Sequence, residues 1–155
     1  MSKNTIQIKK IDASKYKIGI VVTIFNKHLV DELYENTIKT LEKFKVKKAN
    51  IKLLIVPGAL EVPLAAKKLA ISKKYQAIIA LGVVVKGKTP HFEHVCQASS
   101  NGCMQVALET MIPVINGILT VNNEKQARER VSNKKLNKGR EFAESAIQMA
   151  NLKSN

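Results

Sequence analysis

The residues best able to do chemistry in this chain stand just after apolar runs. The stretch Gly87-Lys88-Thr89-Pro90-His91-Phe92-Glu93-His94 follows one such run and leads into a helical pattern. Backbone N–H groups at a strand-to-helix junction can point at an anion, and Lys88 and Thr89 add donors. His91 falls at the helix start, where the positive end of the dipole favours a neutral, proton-accepting imidazole. Those residue types suit phosphate binding with a proton carrier beside it; the plainer alternative is a polar surface histidine. His91 and His94 lie three apart, but no third ligand stands at a suitable spacing, so no metal site is expected.

Three other junctions carry candidates. Phe25, followed by Asn26 and Lys27, ends the first apolar run. Its ring is either core or a platform for a flat heterocycle. The second run ends in Pro57-Gly58-Ala59-Leu60-Glu61-Val62-Pro63. Pro63 fits the first turn of a helix, and Glu61 sits beside that helix N-terminus. This is either a capped turn or a rigid, pre-organised loop. After the fourth run come Arg128, Arg130 and Lys138, which are either solvated charges or partners for phosphate, for which the planar fork of Arg is well suited.

Four near-continuous apolar runs position these residues: 17–24 (KIGIVVTI), 51–56 (IKLLIV), 77–85 (AIIALGVVV) and 114–120 (VINGILT). They read as strands buried on both faces. Helical spacing separates them. Val30, Leu33, Tyr34, Thr37, Leu41 and Phe44 form one stripe, and Val62, Ala65, Ala66 and Leu69 a second. Phe92, Val95, Cys96, Ser99, Cys103, Val106 and Ala107 form a third, with Asn101-Gly102 as a weak point in its middle. Phe142, Ala143, Ala146, Ile147 and Ala150 form a fourth, and Asn122-Asn123 reads as the capped start of a short extra helix over 124–130. Alternating strands and helices predict an α/β fold, a parallel sheet of four strands between helices. Ligands of such sheets bind beyond the carboxyl ends of the strands, where the candidates above fall. Residues 5–11 alternate weakly and read as an edge strand or one donated to a neighbouring subunit.

The chain has 155 residues, 45% of them hydrophobic, which suits a single domain over 1–155 with residues 1–15 as an N-terminal arm. No run is long enough to span a bilayer, and the first residues mix Lys with Ile, unlike a secretory signal. Cys96 and Cys103 lie about two helical turns apart, roughly 10 Å, too far for a disulfide. They are expected to be reduced, in a cytoplasmic protein. The net charge is +14, from 26 Lys and Arg against 12 Asp and Glu. The lysines are scattered in pairs and aromatics make up only 5%, so a nucleic-acid partner is not expected.

At its loops the chain resembles the lumazine synthase family over nearly its whole length. The elements that carry the resemblance are GIVVTIFN, VPGALEVP, AIIALGVVVKGKTPHFEHV, PVINGILT, EKQARER and NKGREFAESAIQMA, in that order. Each is weak alone; their order and spacing together are specific. The resemblance implies a three-layer, flavodoxin-like αβα fold. It implies condensation of 5-amino-6-ribitylaminouracil with 3,4-dihydroxy-2-butanone 4-phosphate, giving 6,7-dimethyl-8-ribityllumazine in riboflavin biosynthesis without any cofactor. Carried over by position, Phe25 would stack on the pyrimidine. Ala59, Leu60 and Glu61 would meet its ribityl side. Val83, Val84 and Val85 would border its ring through backbone groups. Lys88 and Thr89 would hold the phosphate through backbone N–H groups, His91 would shuttle protons, Arg130 would pair with the phosphate and Lys138 would assist.

The chain departs from the family pattern at Asn116, where an aromatic residue is usual, at Leu60 in place of Phe, and at Pro90 before His91. After Arg130 it has VSNKKL in place of a glycine-rich segment. The resemblance also implies pentamers, with sites between neighbours and Asn116 in the substrate-binding set. The lack of an insertion across residues 130–138 favours a sixty-subunit icosahedral shell over the free pentamer. Riboflavin synthase is an implied partner. The rival readings are an archaeal-type riboflavin synthase and a non-catalytic flavin-binding shell protein.

Overall fold

A computed structural model of the chain describes residues 11–152. The strands are β1 (Ile18–Thr23), β2 (Ile51–Val56), β3 (Ala77–Val85) and β4 (Val114–Val121). The helices are α1 (Lys27–Lys43), α2 (Val62–Ile71), α3 (His91–Thr110), α4 (Glu124–Val131) and α5 (Lys138–Ala150). All four apolar runs are strands and all five helical patterns are helices. The expected strand over residues 5–11 lies outside the described residues except for Ile11, which is not in a strand. Of the expected arm, residues 11–15 pack at the end of α1: the Ala13 N–H donates to the Phe44 carbonyl at 2.9 Å.

The sheet is wholly parallel, in the order β2-β1-β3-β4. β3 is the most enclosed strand, buried from Ala77 to Val83, as its unbroken apolar sequence requires. One core layer joins Ile18, Ile20, Ile79 and Leu81 to α1, α4 and α5. The other joins Val21, Ile78, Ala80 and Ile118 to α2 and α3. Successive strand residues thus feed opposite layers. Each fully buried Ile contributes about 1.5–3 kcal/mol. The result is a three-layer, flavodoxin-like α/β fold. No helix among the described residues is long and apolar enough to cross a membrane.

The helix ends follow local chemistry. Asn123 caps α4, its side chain accepting from the Gln126 N–H at 3.0 Å. Asn137 caps α5 in the left-handed region, accepting from the Arg140 N–H at 3.2 Å. Phe44 lies just past α1 as its C-cap. Asn101-Gly102, the suspected weak point, does not interrupt α3. A Cβ on Gly102 would come 2.6 Å from Cγ of Pro63, so the glycine is there because α2 and α3 cross closely.

A similar close approach joins α5 to α1. A Cβ on Gly139 would sit 2.5 Å from the Leu33 carbonyl oxygen and 3.0 Å from the Thr37 nitrogen. Both are backbone atoms and cannot swing aside. Gly139→Ala is therefore expected to lower stability by about 1–3 kcal/mol through overpacking. Gly87→Ala, where an added Cβ meets nothing within 4 Å, is expected to change it by less than about 0.5 kcal/mol. Urea unfolding of the two variants checks the contrast; equal midpoints would refute it.

Candidate functional site

The order β2-β1-β3-β4 reverses direction between β1 and β3. Connections leave the sheet there towards opposite faces, which opens a crevice at the carboxyl ends. A cavity of about 250 Å³ occupies that position. Its wall includes Thr23, Phe25 and Asn26 after β1, residues 58–61 after β2, residues 83–85 ending β3, and His91 with Val95 on α3. Eight residues expected from the sequence are thus brought together: Phe25, Ala59, Leu60, Glu61, Val83, Val84, Val85 and His91.

Phe25 is 68% exposed, so the core alternative for its ring is excluded. The ring lies against the β2–α2 loop, where a Cβ on Gly58 would be 3.0 Å from Cδ2 of Phe25. Gly58 has extended backbone, so this nearness to the ring, and not a special dihedral, explains the glycine. Glu61 serves as a cap and also lines the cavity. Its Oε2 accepts from the Gly58 N–H at 2.8 Å, which fixes the loop under the ring. Ala59 is buried and Leu60 half exposed. The crevice therefore combines one open aromatic face, an aliphatic wall and one carboxylate. This arrangement accepts a flat polar heterocycle bearing hydroxyls.

His91 is the first residue of α3 and is exposed. Pro90 stands at the N-cap position and supplies no side-chain cap, so the first N–H groups of α3 are left for another acceptor. The preceding loop, with Lys88 and Thr89, is exposed and lies outside the cavity wall. Its two ends are tied together. Lys86 Nζ lies 2.9 Å from Glu93 Oε1 and 5.7 Å from the centre of the Phe92 ring. The Lys86 ammonium holds the Glu93 carboxyl below its ordinary range.

Asn116, Arg130 and Lys138 are not brought to this cavity within the chain. Asn116 is exposed on β4, donating to Ser100 Oγ at 3.2 Å and accepting from the Ile118 N–H at 3.2 Å. Arg130, in the last turn of α4, donates from its guanidinium to the Gln126 carbonyl at 3.0 Å. Lys138 opens α5, its side chain only 12% exposed, with Nζ 2.5 Å from Glu141 Oε2. A broader groove of about 580 Å³ runs along α4, lined by Glu124, Lys125, Arg128 and Glu129. It mixes charges of both signs and has no aromatic lining residue, so it lacks the features of a heterocycle site.

Among the described residues no group of three or more His, Cys, Asp or Glu could hold a metal. Both cysteines are free. Burial pushes the Cys103 thiol up to about 11 and raises that of Cys96, so neither is a ready nucleophile. Sequence reasoning missed Asn26, Thr23 and Val95 as wall residues. The signal for Val95 was its place one turn after His91 on the inward stripe. That for Asn26 was an Asn at a strand end directly before a helix.

Comparison with known proteins places this geometry. The family profile described as 6,7-dimethyl-8-ribityllumazine synthase matches residues 15–154. A protein of that name from Coxiella burnetii is 44% identical over 139 residues, covering 90% of this chain and 92% of its own. One from Clostridium kluyveri is 45% identical over 143 residues, covering 92% and 93%. One from Protochlamydia amoebophila is 43% identical over 143 residues, covering 92% and 83%. With the wall after β1, β2 and β3 built from the motifs that first suggested the resemblance, the chain belongs to the 6,7-dimethyl-8-ribityllumazine synthase family.

Proposed function

We propose that the chain condenses 5-amino-6-ribitylaminouracil with 3,4-dihydroxy-2-butanone 4-phosphate, releasing 6,7-dimethyl-8-ribityllumazine, phosphate and water. The observation that carries this is the cavity at the β1/β3 switch, which joins an exposed Phe25 ring to Glu61 and His91 in a chain of this family. The pyrimidine stacks on Phe25 and sets its ribityl hydroxyls toward Ala59, Leu60 and Glu61. Its ring edge meets the backbone of Val83, Val84 and Val85. Its amine attacks the ketone, giving a carbinolamine and, with loss of water, an imine. Phosphate leaves, and ring closure with loss of a second water completes the product. His91 carries the protons, the task of an imidazole positioned at the reacting groups. The uncapped start of α3, with Lys88 and Thr89 before it, suits the phosphate.

Arg130 and Lys138 enter this reading from an adjoining subunit, which explains their distance from this chain's own cavity wall. Asn116 enters the same way, as the neighbour's contact to the pyrimidine. The proposed assembly is a pentamer, extended to a sixty-subunit icosahedral shell. Its proposed setting is the cytoplasm, where riboflavin synthase would use the product. An archaeal-type riboflavin synthase would need no phosphate subsite, and a non-catalytic flavin-binding shell would form no product. Mixing the two substrates and following both the lumazine absorbance and inorganic phosphate separates all three readings. The condensation reading requires both signals.

Arg130→Ala is expected to weaken the ketone phosphate by about 1.5–3 kcal/mol, the worth of hydrogen bonds to a charged group. The pyrimidine KM should stay within about twofold. Arg130→Lys should recover only part, lacking the planar fork. Steady-state kinetics with each substrate varied in turn decide it: equal losses for both substrates would refute the phosphate-anchor role. His91→Ala should lower turnover by up to about 10²-fold. Wild-type turnover from pH 6 to 8 would refute its proton-transfer role. Disassembling and reassembling the two alanine variants together should restore about a quarter of the wild-type sites, because a head-to-tail ring pairs each intact His91 with the neighbour's intact Arg130 at that frequency. No recovery in a properly reassembled mixture would show that both groups serve from one chain.

A further inference from the structure

We infer that Asn26 is a positioning residue for the proposed condensation, holding the free end of β3 against the turn that carries Phe25. β1 pairs with β3 only as far as Val22 opposite Leu81, whereas β3 runs on to Val85. Beyond Leu81 the β1-facing edge of β3 has lost its partner strand. The Lys86 N–H donates to the Val121 carbonyl of β4 at 2.8 Å, so even-numbered residues at this end of β3 face β4. By alternation Val83 and Val85 face the cavity side. Asn26 Nδ2 donates to the Val83 carbonyl at 2.8 Å. A side-chain amide thus takes the place of the missing strand for one hydrogen bond. The N–H and carbonyl of Val85, next along the same edge, remain directed at whatever occupies the cavity.

The placement of that amide is informative. Asn26 is the N-cap of α1, in the left-handed region at φ 56° and ψ 40°. An Asn at this position ordinarily accepts from the second or third N–H of its helix, which stabilises the helix by about 1 kcal/mol. Here there is no side-chain cap bond, and the amide reaches across to β3 instead. The turn is fastened on its other side to β2. The Ile24 N–H donates to the Val56 carbonyl at 3.0 Å, and the Phe25 N–H to the Pro57 carbonyl at 3.3 Å. Phe25 therefore sits on a bridge with several bonds to the β2 side and one, from Asn26, to the β3 side. A heterocycle that stacks on Phe25 while its edge bonds to β3 needs the distance between those walls fixed. Asn26 sets it.

The inference rests on the condensation reading, and two variants test it. Asn26→Gly keeps the left-handed backbone at no steric cost and removes the amide. Asn26→Asp also tolerates that conformation and can cap α1, but has no N–H to give Val83. Both should raise the KM for the ribitylaminouracil about tenfold, with the ketone phosphate KM within about twofold. Both should speed amide exchange across residues 83–88 of the ligand-free protein. Asn26→Asp should do so while melting at or above the temperature of Asn26→Gly, a split that a purely structural role would not give. A pyrimidine KM within twofold of wild type, a parallel rise for both substrates, or unchanged exchange would overturn the inference. If the wild-type protein forms no lumazine product, the condensation reading falls, and exchange alone then decides whether Asn26 holds β3.

Discussion

Parallel strands need partners along their whole length, and the strand at the centre of this sheet outlasts the one beside it. β3 continues four residues past its last pairing with β1, while β4 accompanies it to Val85. The unpaired edge lies where the crossovers part, so the surrounding loops can enclose it without filling it. Every wall of the cavity follows from this. The β1–α1 turn bends over the gap, the β2–α2 loop supports it from below, and α3 starts from the far side. A β1 three residues longer would reach the position opposite Val85, close the ladder and leave a well-paired sheet with no crevice.

The cavity divides the labour of binding by polarity. Its wall is largely aliphatic and aromatic, with Glu61 and His91 as the ionisable groups. The lysine-bearing loop and the uncapped α3 start lie at its rim. An apolar slot favours a flat ring, whereas a dianion is better held where helix N–H groups and cations meet water. The two thiols, raised by burial, stay chemically silent beside this chemistry.

Much of this was legible in the residues. All four unbroken apolar runs proved to be strands, but the expected burial on both faces fails for β2, which stands at the sheet edge with no buried residue and Ile55 64% exposed. Pro63 and Asn123 marked helix starts by the same physics that places them there. The strand-end rule pointed to Phe25, Glu61 and His91, while the roles of Ala59 and Leu60 and the naming of Val83, Val84 and Val85 came from the family resemblance. What stayed hidden depended on contacts between distant segments. Gly102 looked like a helix breaker because nothing local reveals that Pro63 packs onto it. The role of Asn26 needed the register of β1 on β3, which no periodicity encodes. That Arg130, Lys138 and Asn116 stand away from this cavity wall followed from the packing of α4, α5 and β4, which no local pattern encodes. Phe25 was undecided between core and platform until its exposure was known, since the same ring suits either.

The contact between Pro63 and Gly102 reaches further than local packing. α2 begins at the loop that holds Glu61, and α3 begins at His91; the two helices are pinned where the proline ring meets the bare glycine backbone. Gly102 lies eleven residues along α3 from His91, about 16 Å at 1.5 Å per residue. The pair works as the rivet of a caliper whose jaws are the carboxylate and the imidazole. The opening between those jaws is thus gauged at a half-buried contact outside the cavity wall, and a single added methyl there would shift the two helices more than a turn of helix away.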